Sequence, residues 1–304
     1  MAPAVLVVGN LILDTVVTLA EPLCRGRKYV ASARSTFHGG QGANVAYTLA
    51  GLGIPVRFAG VAAGDAASRA AISALAAMGV DTSAVQIVDD AAPHEAVILH
   101  EAETGERTIV MHRDPRLVLA PALIDAAWTD TLRAVYLDGH EDHANARALA
   151  LARADGVPVV VDVERGDAAY RQVTALADHI VGSRAAVQAL AGKRGILAAL
   201  RSLAGPGTLF ACATDGAGAI TFTGRGENGA FPVRPVRHPV DTTGAGDAFR
   251  AAYIAGLHRG LAPLGALRFA VEAGAAKCGH LGPRLPPETL RGLAGRLREL
   301  GAEA

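Results

Sequence analysis

The chain has 304 residues, 51% of them apolar, with 29 acidic and 29 basic side chains and a formal net charge of zero. Such a chain can bury a large core, carries no basic stripe of the kind a nucleic-acid partner requires, and nowhere reaches the roughly 20 consecutive apolar residues of a membrane helix. Cys24, Cys212 and Cys278 are too few and too scattered for a disulfide framework or a zinc site, so the expected compartment is the cytoplasm.

Ala4–Val8 is a short continuous apolar run ending at Gly9. It reads as a strand buried on both faces and not as a signal peptide, since no basic n-region accompanies it. Asp14 lies just past its end. Ligands of open α/β sheets bind beyond the carboxyl ends of strands, so Asp14 either holds a ligand hydroxyl or serves as a turn residue. Residues 16–37 mix polar and β-branched side chains without helical period, as exposed strands do. At 39–44 the chain reads G-G-Q-G-A-N and passes into a helical pattern, with Val45, Leu49 and Leu52 on one face and Asn44 at its start.

Strand and helix then alternate. Residues 55–59 predict a strand, Asp65 caps a helix running through Met78, and residues 94–112 hold two strand-like runs around the turn E-T-G-E. Residues 134–137 predict a strand, 145–154 a helix, V-P-V-V-V-D a strand ending at Asp162, and the stretch to about Ala204 further helix. Strands at 209–213 and 219–222 surround T-D-G-A-G. This βαβ alternation implies a mostly parallel sheet. The run D-G-H-E-D-H from Asp138 is not the zinc pattern H-E-x-x-H, because only two residues separate His140 from His143. It reads as a substrate-facing strand end at which His140 can hydrogen-bond a ligand.

Residues 241–247 read D-T-T-G-A-G-D. Gly244 and Gly246 strip side chains from a turn that opens a helix, so backbone N–H groups converge where the helix dipole is positive, a cradle for phosphate. Asp247 either caps that helix or accepts a proton from an attacking hydroxyl. The dinucleotide fingerprint does not fit, since no third glycine follows and no strand runs directly into the turn. Helices are predicted at 248–258 and 263–278, and the leucines at 290, 293, 297 and 300 form a core-facing stripe.

The two glycine turns in this order, roughly 200 residues apart, together with Asp14 in V-V-G-N-L-I-L-D, resemble the ribokinase-like (PfkB) family of carbohydrate and nucleoside kinases over about residues 5–286. The resemblance implies a single α/β domain over residues 1–304, with a mostly parallel central sheet flanked by helices and a small β lid formed by insertions at about 15–38 and 94–112. It implies in-line transfer of the γ-phosphoryl group of ATP, with magnesium as counterion and a monovalent cation such as K+ close by. On this pattern Gly244, Ala245 and Gly246 form the anion hole and Asp247 takes the proton. Asp14, Gly40, Gln41, Asn44, Asp138 and His140 face the sugar, while Thr214, Gly216 and Thr243 flank the nucleotide. Asp241 and Thr243, with backbone carbonyls of 278–282, match the monovalent-cation loop.

Departures from the family pattern carry their own expectations. The N-x-x-E magnesium motif is replaced by S-R-A-A from Ser183, which leaves Asp162 or Glu164 to hold metal-bound water. Ala251 stands where a glycine is usual, and Gln41 where a lysine is frequent. Lys28, beside Arg27, matches the lysine that kinases of fructose 6-phosphate or sulfofructose turn toward the anionic end of the sugar, with a solvated lid residue as the plainer reading. His112, Arg113 and Arg116 are further candidates for that role. The expected activity is an ATP-dependent sugar kinase acting on a ketose or a six-substituted (phospho or sulfo) ketose. A nucleoside kinase is one alternative and a non-catalytic sugar-binding regulatory protein another, and family lids imply a homodimer.

Overall fold

Runs of valine, leucine and alanine flanked by glycine or aspartate set the strands. The computed structural model describes residues 4–104, 107–164, 167–192, 195–224 and 226–302, and among these thirteen strands form. They are β1 (Ala4–Val8), β2 (Ile12–Leu19), β3 (Ala33–Gly39), β4 (Val56–Ala63), β5 (Asp81–Val88), β6 (Glu95–Glu101), β7 (Arg107–His112), β8 (Leu132–Leu137), β9 (Val159–Val163), β10 (His179–Ser183), β11 (Phe210–Asp215), β12 (Gly218–Gly224) and β13 (Asn228–Phe231).

Nine of them make one sheet in the order β13-β12-β11-β10-β9-β8-β1-β4-β5. Neighbours from β5 to β11 pair in parallel, and β12 and β13 close the far edge as an antiparallel meander. Alternation along β1 shows why both faces need helices: Val5 and Val7 enter one apolar cluster and Leu6 and Val8 the other. The helices Gln41–Gly51, Ala245–His258, Pro263–Lys277 and Pro287–Ala302 contribute to the first cluster; Asp142–Asp155 and Ile196–Leu203 contribute to the second. Leu290 and Leu297 of the C-terminal leucine stripe are buried in the first.

The remaining strands form a separate sheet in the order β3-β2-β6-β7. Ala96 and Ile98 of β6 are buried against Ile12, whereas every residue of β7 is exposed. Residues 105 and 106 of the expected E-T-G-E turn lie outside the described residues.

Two differences from the expected elements matter for the site. The stretch to Ala204 is not continuous helix, because β10 crosses it and pairs in parallel with both β9 and β11. Its four buried residues, 179–182, are too few to display a period, and the polar His179 disguises the run while bonding the Tyr253 hydroxyl at 2.9 Å. The helix expected from Ala248 begins at Ala245, which draws Asp247 into its first turn.

The glycines between β1 and the first helix act by absence. A Cβ on Gly42 would stand 2.7 Å from the Cα of Gly9, so the helix start and the end of β1 meet backbone to backbone. Gly42→Ala is expected to push the two apart and to lower unfolding free energy by about 1–3 kcal/mol. Urea denaturation checks this, and an unchanged midpoint contradicts it.

Candidate active site

The two glycine turns meet. Asn44 lies in the first turns of the helix Gln41–Gly51, and its Nδ2 donates to Oδ2 of Asp247 at 2.8 Å, joining residues 203 positions apart. Asp247 is 8% exposed, at the third position of the helix Ala245–His258. Gly244 caps that helix with φ 75°, and a side chain there would strike the carbonyl of Pro283. The N–H of Ala245 turns back to the Thr242 carbonyl at 3.2 Å. Of the amides expected in the anion hole that one is thus engaged, while the N–H groups of Gly244 and Gly246, and that of Asp247 beside them, make no backbone hydrogen bond among the described residues.

Beside this helix start is a cavity of about 490 Å³, lined by Thr214, Gly216, Ala245, Gly246 and Phe249 among others. Thr214 and Gly216, expected beside the nucleotide, therefore share one cavity with the anion turn. Arg107, the first residue of β7, also lines it and donates from Nη1 to Oγ1 of Thr243 at 2.9 Å. Sequence reasoning passed over Arg107, although a cation directly after the hairpin turn E-T-G-E was visible.

A buried ion cluster lies under the anion turn. Arg250, one helical turn after Asp247, sits 2.7 Å from Asp162, 3.3 Å from Glu164 and 3.5 Å from Asp247. Gly246 makes room, since a Cβ there would be 2.6 Å from Nη1 of Arg250. Burial raises the carboxyl of Asp247 above its ordinary range, and Arg250 and the Asn44 bond act against that rise. The magnesium role expected of Asp162 is corrected here: its carboxylate has no exposed area and faces Arg250 and the Tyr136 hydroxyl at 3.3 Å. Glu164 fits that role better. It is exposed, pairs with Arg250 only through Oε1, and leaves Oε2 without a partner among the described residues. No group of three acidic, histidine or cysteine side chains able to hold a metal occurs among the described residues, so phosphates and water would complete the shell.

Near Asn44 lie further polar groups expected to meet a polyol. Asp14 is 9% exposed, and burial, then the charge of Asp247, raises its carboxyl to about 7. Asn10 is buried with both ends of its amide unpartnered. The motif G-N-L-I-L-D displayed this asparagine, and only the fold shows its bonding to be unfilled. His140 Nε2 lies 2.8 Å from Gln41 Oε1, which ties those two expected contacts together. Gly40 precedes the helix at φ 92°.

Asp138 does not face a sugar. Its Oδ2 accepts from the N–H of Asn10 at 2.6 Å and of Gly42 at 3.2 Å, and its Oδ1 from His140 N–H at 3.1 Å, with no exposed area. It is a brace between β1, β8 and the first helix. Lys28 is likewise outside the cluster, exposed between β2 and β3 with no hydrogen bond or ion pair among the described residues, while Arg27 is taken by Glu21 at 2.9 Å. Long side chains in a solvated loop gain little from holding one geometry.

The expected monovalent-cation loop holds a side chain. Asp241 accepts from the N–H of Thr243 at 2.8 Å and of Gly282 at 2.9 Å. The fully buried Lys277 donates from Nζ to the carbonyls of Asp241 at 3.1 Å and His280 at 2.8 Å. An ammonium group thus bonds two carbonyl oxygens of the loop that the sequence assigned to K+ and places a positive charge of the protein's own there.

The pfkB family carbohydrate kinase model matches residues 3–290. The chain is 25% identical over 268 residues to the ribokinase of Bacillus subtilis (strain 168), spanning 88% of this chain and 90% of that one. It is 27% identical over 261 residues to the 5-dehydro-2-deoxygluconokinase of Shouchella clausii (strain KSM-K16), spanning 76% and 77%. The solved structure of Arabidopsis thaliana ribokinase complexed with ribose and ATP shares the fold, with a TM-score of 0.79 at 23% identity over 97% of this chain and 99% of that one. No helix among the described residues is long and apolar enough to cross a membrane.

Because Lys277 supplies the charge between those carbonyls, exchanging potassium for sodium or choline is expected to leave phosphoryl-transfer activity unchanged. Lys277→Met should lower stability by about 1–3 kcal/mol through the unpaired carbonyls. Thermal unfolding and steady-state assays in the three salts check both, and potassium activation of the unaltered protein contradicts the assignment.

Proposed function

The chain belongs to the pfkB family of carbohydrate kinases, an ATP-dependent phosphotransferase, and we propose that it transfers the γ-phosphoryl group to a hydroxyl of a ketose, plain or substituted at carbon six by phosphate or sulfonate. The observation that carries this reading is the Asn44–Asp247 bond, which joins a buried carboxylate at one glycine-turn helix start to the helix that follows the other glycine turn.

In this reading Asp247 accepts the proton of the acceptor hydroxyl as its oxygen bonds to the γ-phosphorus and the bond to the β-phosphate oxygen breaks, releasing ADP. The N–H groups of Gly246 and Asp247 and the helix dipole stabilise charge on the transferring group. Magnesium bound with ATP supplies neutralisation of the phosphate oxygens, and Glu164 is the side chain suited to hold it through water. Asp14, Asn10, Gln41 and His140 orient the acceptor, and Arg107 draws the lid toward Thr243 and the phosphates, excluding water that competes as acceptor.

The reading includes a homodimer joined through the lid. Its support is exposed apolar surface on the lid: the cross-strand pair Val97 and Val110 on one face, 41% and 57% exposed, and Ile109 on the other, 56% exposed. The cytoplasm is the proposed compartment, consistent with three free cysteines.

Asp247→Asn is expected to cut kcat by ~10²- to 10⁴-fold while nucleotide affinity stays nearly constant. The acid limb of kcat/KM should lie above the ordinary carboxylate range, since the protonated base is inactive and burial favours that form, and it should vanish in the variant. Near-normal turnover in Asp247→Asn sinks the reading. For the assembly, Ile109→Lys with Val110→Lys should convert a dimer to a monomer in sedimentation analysis, and an unchanged sedimentation coefficient excludes the lid interface.

A further inference from the structure

Arg284 stands beside Asn44, within reach of the charges of Asp14 and Asp247, with its donors partly used. Its Nε donates to Oδ1 of Asn44 at 3.0 Å, and its guanidinium carbon lies 4.9 Å from the centre of the Tyr47 ring. Those two contacts fix the direction of the fork. Nη2 is buried without a hydrogen-bond partner, and the guanidinium makes no ion pair among the described residues.

The groups that share a charge interaction with it come from four elements, Asp14 on β2, His38 on β3, Tyr47 on the first helix and Asp247 on the helix Ala245–His258, and Glu288 of the helix Pro287–Ala302 acts on Tyr47 in turn. Asp14 and Arg284 feel each other's charge yet are not paired. Each is left undercompensated. Burial outweighs the attraction of the nearby acids and pulls Arg284 down to about 10, and burial lifts Asp14 to about 7. A ligand between them relieves both by bringing hydroxyl donors to the carboxylate and negatively charged oxygens to the fork. A neutral sugar hydroxyl can accept one bond from Nη2 but leaves the cation's charge unmatched.

We propose that Arg284 is a specificity-determining residue that binds an oxyanion carried by the phosphoryl acceptor, so that an acidic polyol is favoured over a neutral one. This rests on the reading of the cleft as a kinase acceptor site, and it gives Arg284 the part that the sequence assigned to Lys28. The oxyanion is a carboxylate or a phosphate, and the test separates them.

Isothermal calorimetry on the full chain with ADP present measures binding of D-gluconate against D-glucitol and of D-fructose 6-phosphate against D-fructose. At least one acidic probe is expected to bind about 10- to 100-fold more tightly than its neutral counterpart. Gluconate marks a carboxylate subsite and the phosphosugar a phosphate subsite. Arg284→Met should abolish the preference while changing neutral-probe affinity little, and Arg284→Lys should keep part of it. An unaltered protein that prefers neither acidic probe overturns the proposal, and that comparison stands even if the methionine variant does not fold. Equal weakening of acidic and neutral probes in a folded variant also overturns it. Binding is read without phosphoryl transfer, so its outcome is separate from the kinase reading, which is tested by ATP consumption with an acceptor and by Asp247→Asn.

Discussion

The hydrogen bond from Asn44 to Asp247 is the contact on which the rest of the structure depends. A carboxylate placed where phosphate is to bind is opposed by desolvation and by the charge of its ligand, so it needs partners that do not lie in the ligand's path. Asn44 meets that need with one amide: Nδ2 donates to Asp247 and Oδ1 accepts from Arg284. Arg250 approaches the other carboxylate oxygen from below, at 3.5 Å. Asp247 is thus held between two cations and is 8% exposed.

That arrangement requires backbones to come closer than side chains permit. Gly42 lies against Gly9, Gly244 against Pro283, and Gly246 against the guanidinium of Arg250. These are demands of space at the junctions where β1, the first helix and the helix of Asp247 converge. Asp138 completes the junction by accepting three backbone N–H groups at once. The same economy appears in the cation loop, where the ammonium of Lys277 bonds two carbonyls from inside the protein. Internal cations at 250, 277 and 284 thus supply positive charge around the anion turn and the loops beside it.

What the sequence disclosed was whatever depends on local chemistry. Glycine turns, the apolar β1, the Asp65 cap with its two backbone bonds and the leucine stripe all act through near neighbours, and each is readable as a pattern. What stayed hidden depends on distant partners. Arg250 looks like one odd cation in an apolar helix until Asp162 and Glu164 come to meet it. Arg284 sits in L-G-P-R-L-P-P without any local mark, 240 residues from the asparagine it touches. Asp138 and Asp162 read as ligand contacts in the sequence because acids at strand ends face ligands in open sheets, whereas their carboxylates are consumed by backbone N–H groups and by an arginine. β10 escaped notice because burial on both faces erases the alternation that marks a strand.

The central claim is that the remote turns act as one unit, with the amide of Asn44 holding the base that the second turn presents. Single-turnover phosphoryl transfer in a double-mutant cycle of Asn44→Ala and Asp247→Asn tests it most directly. The account predicts strong non-additivity: once Asp247 is neutralised, removing Asn44 slows transfer little further. Rate losses that simply multiply would show that the two residues act independently and would contradict the shared site.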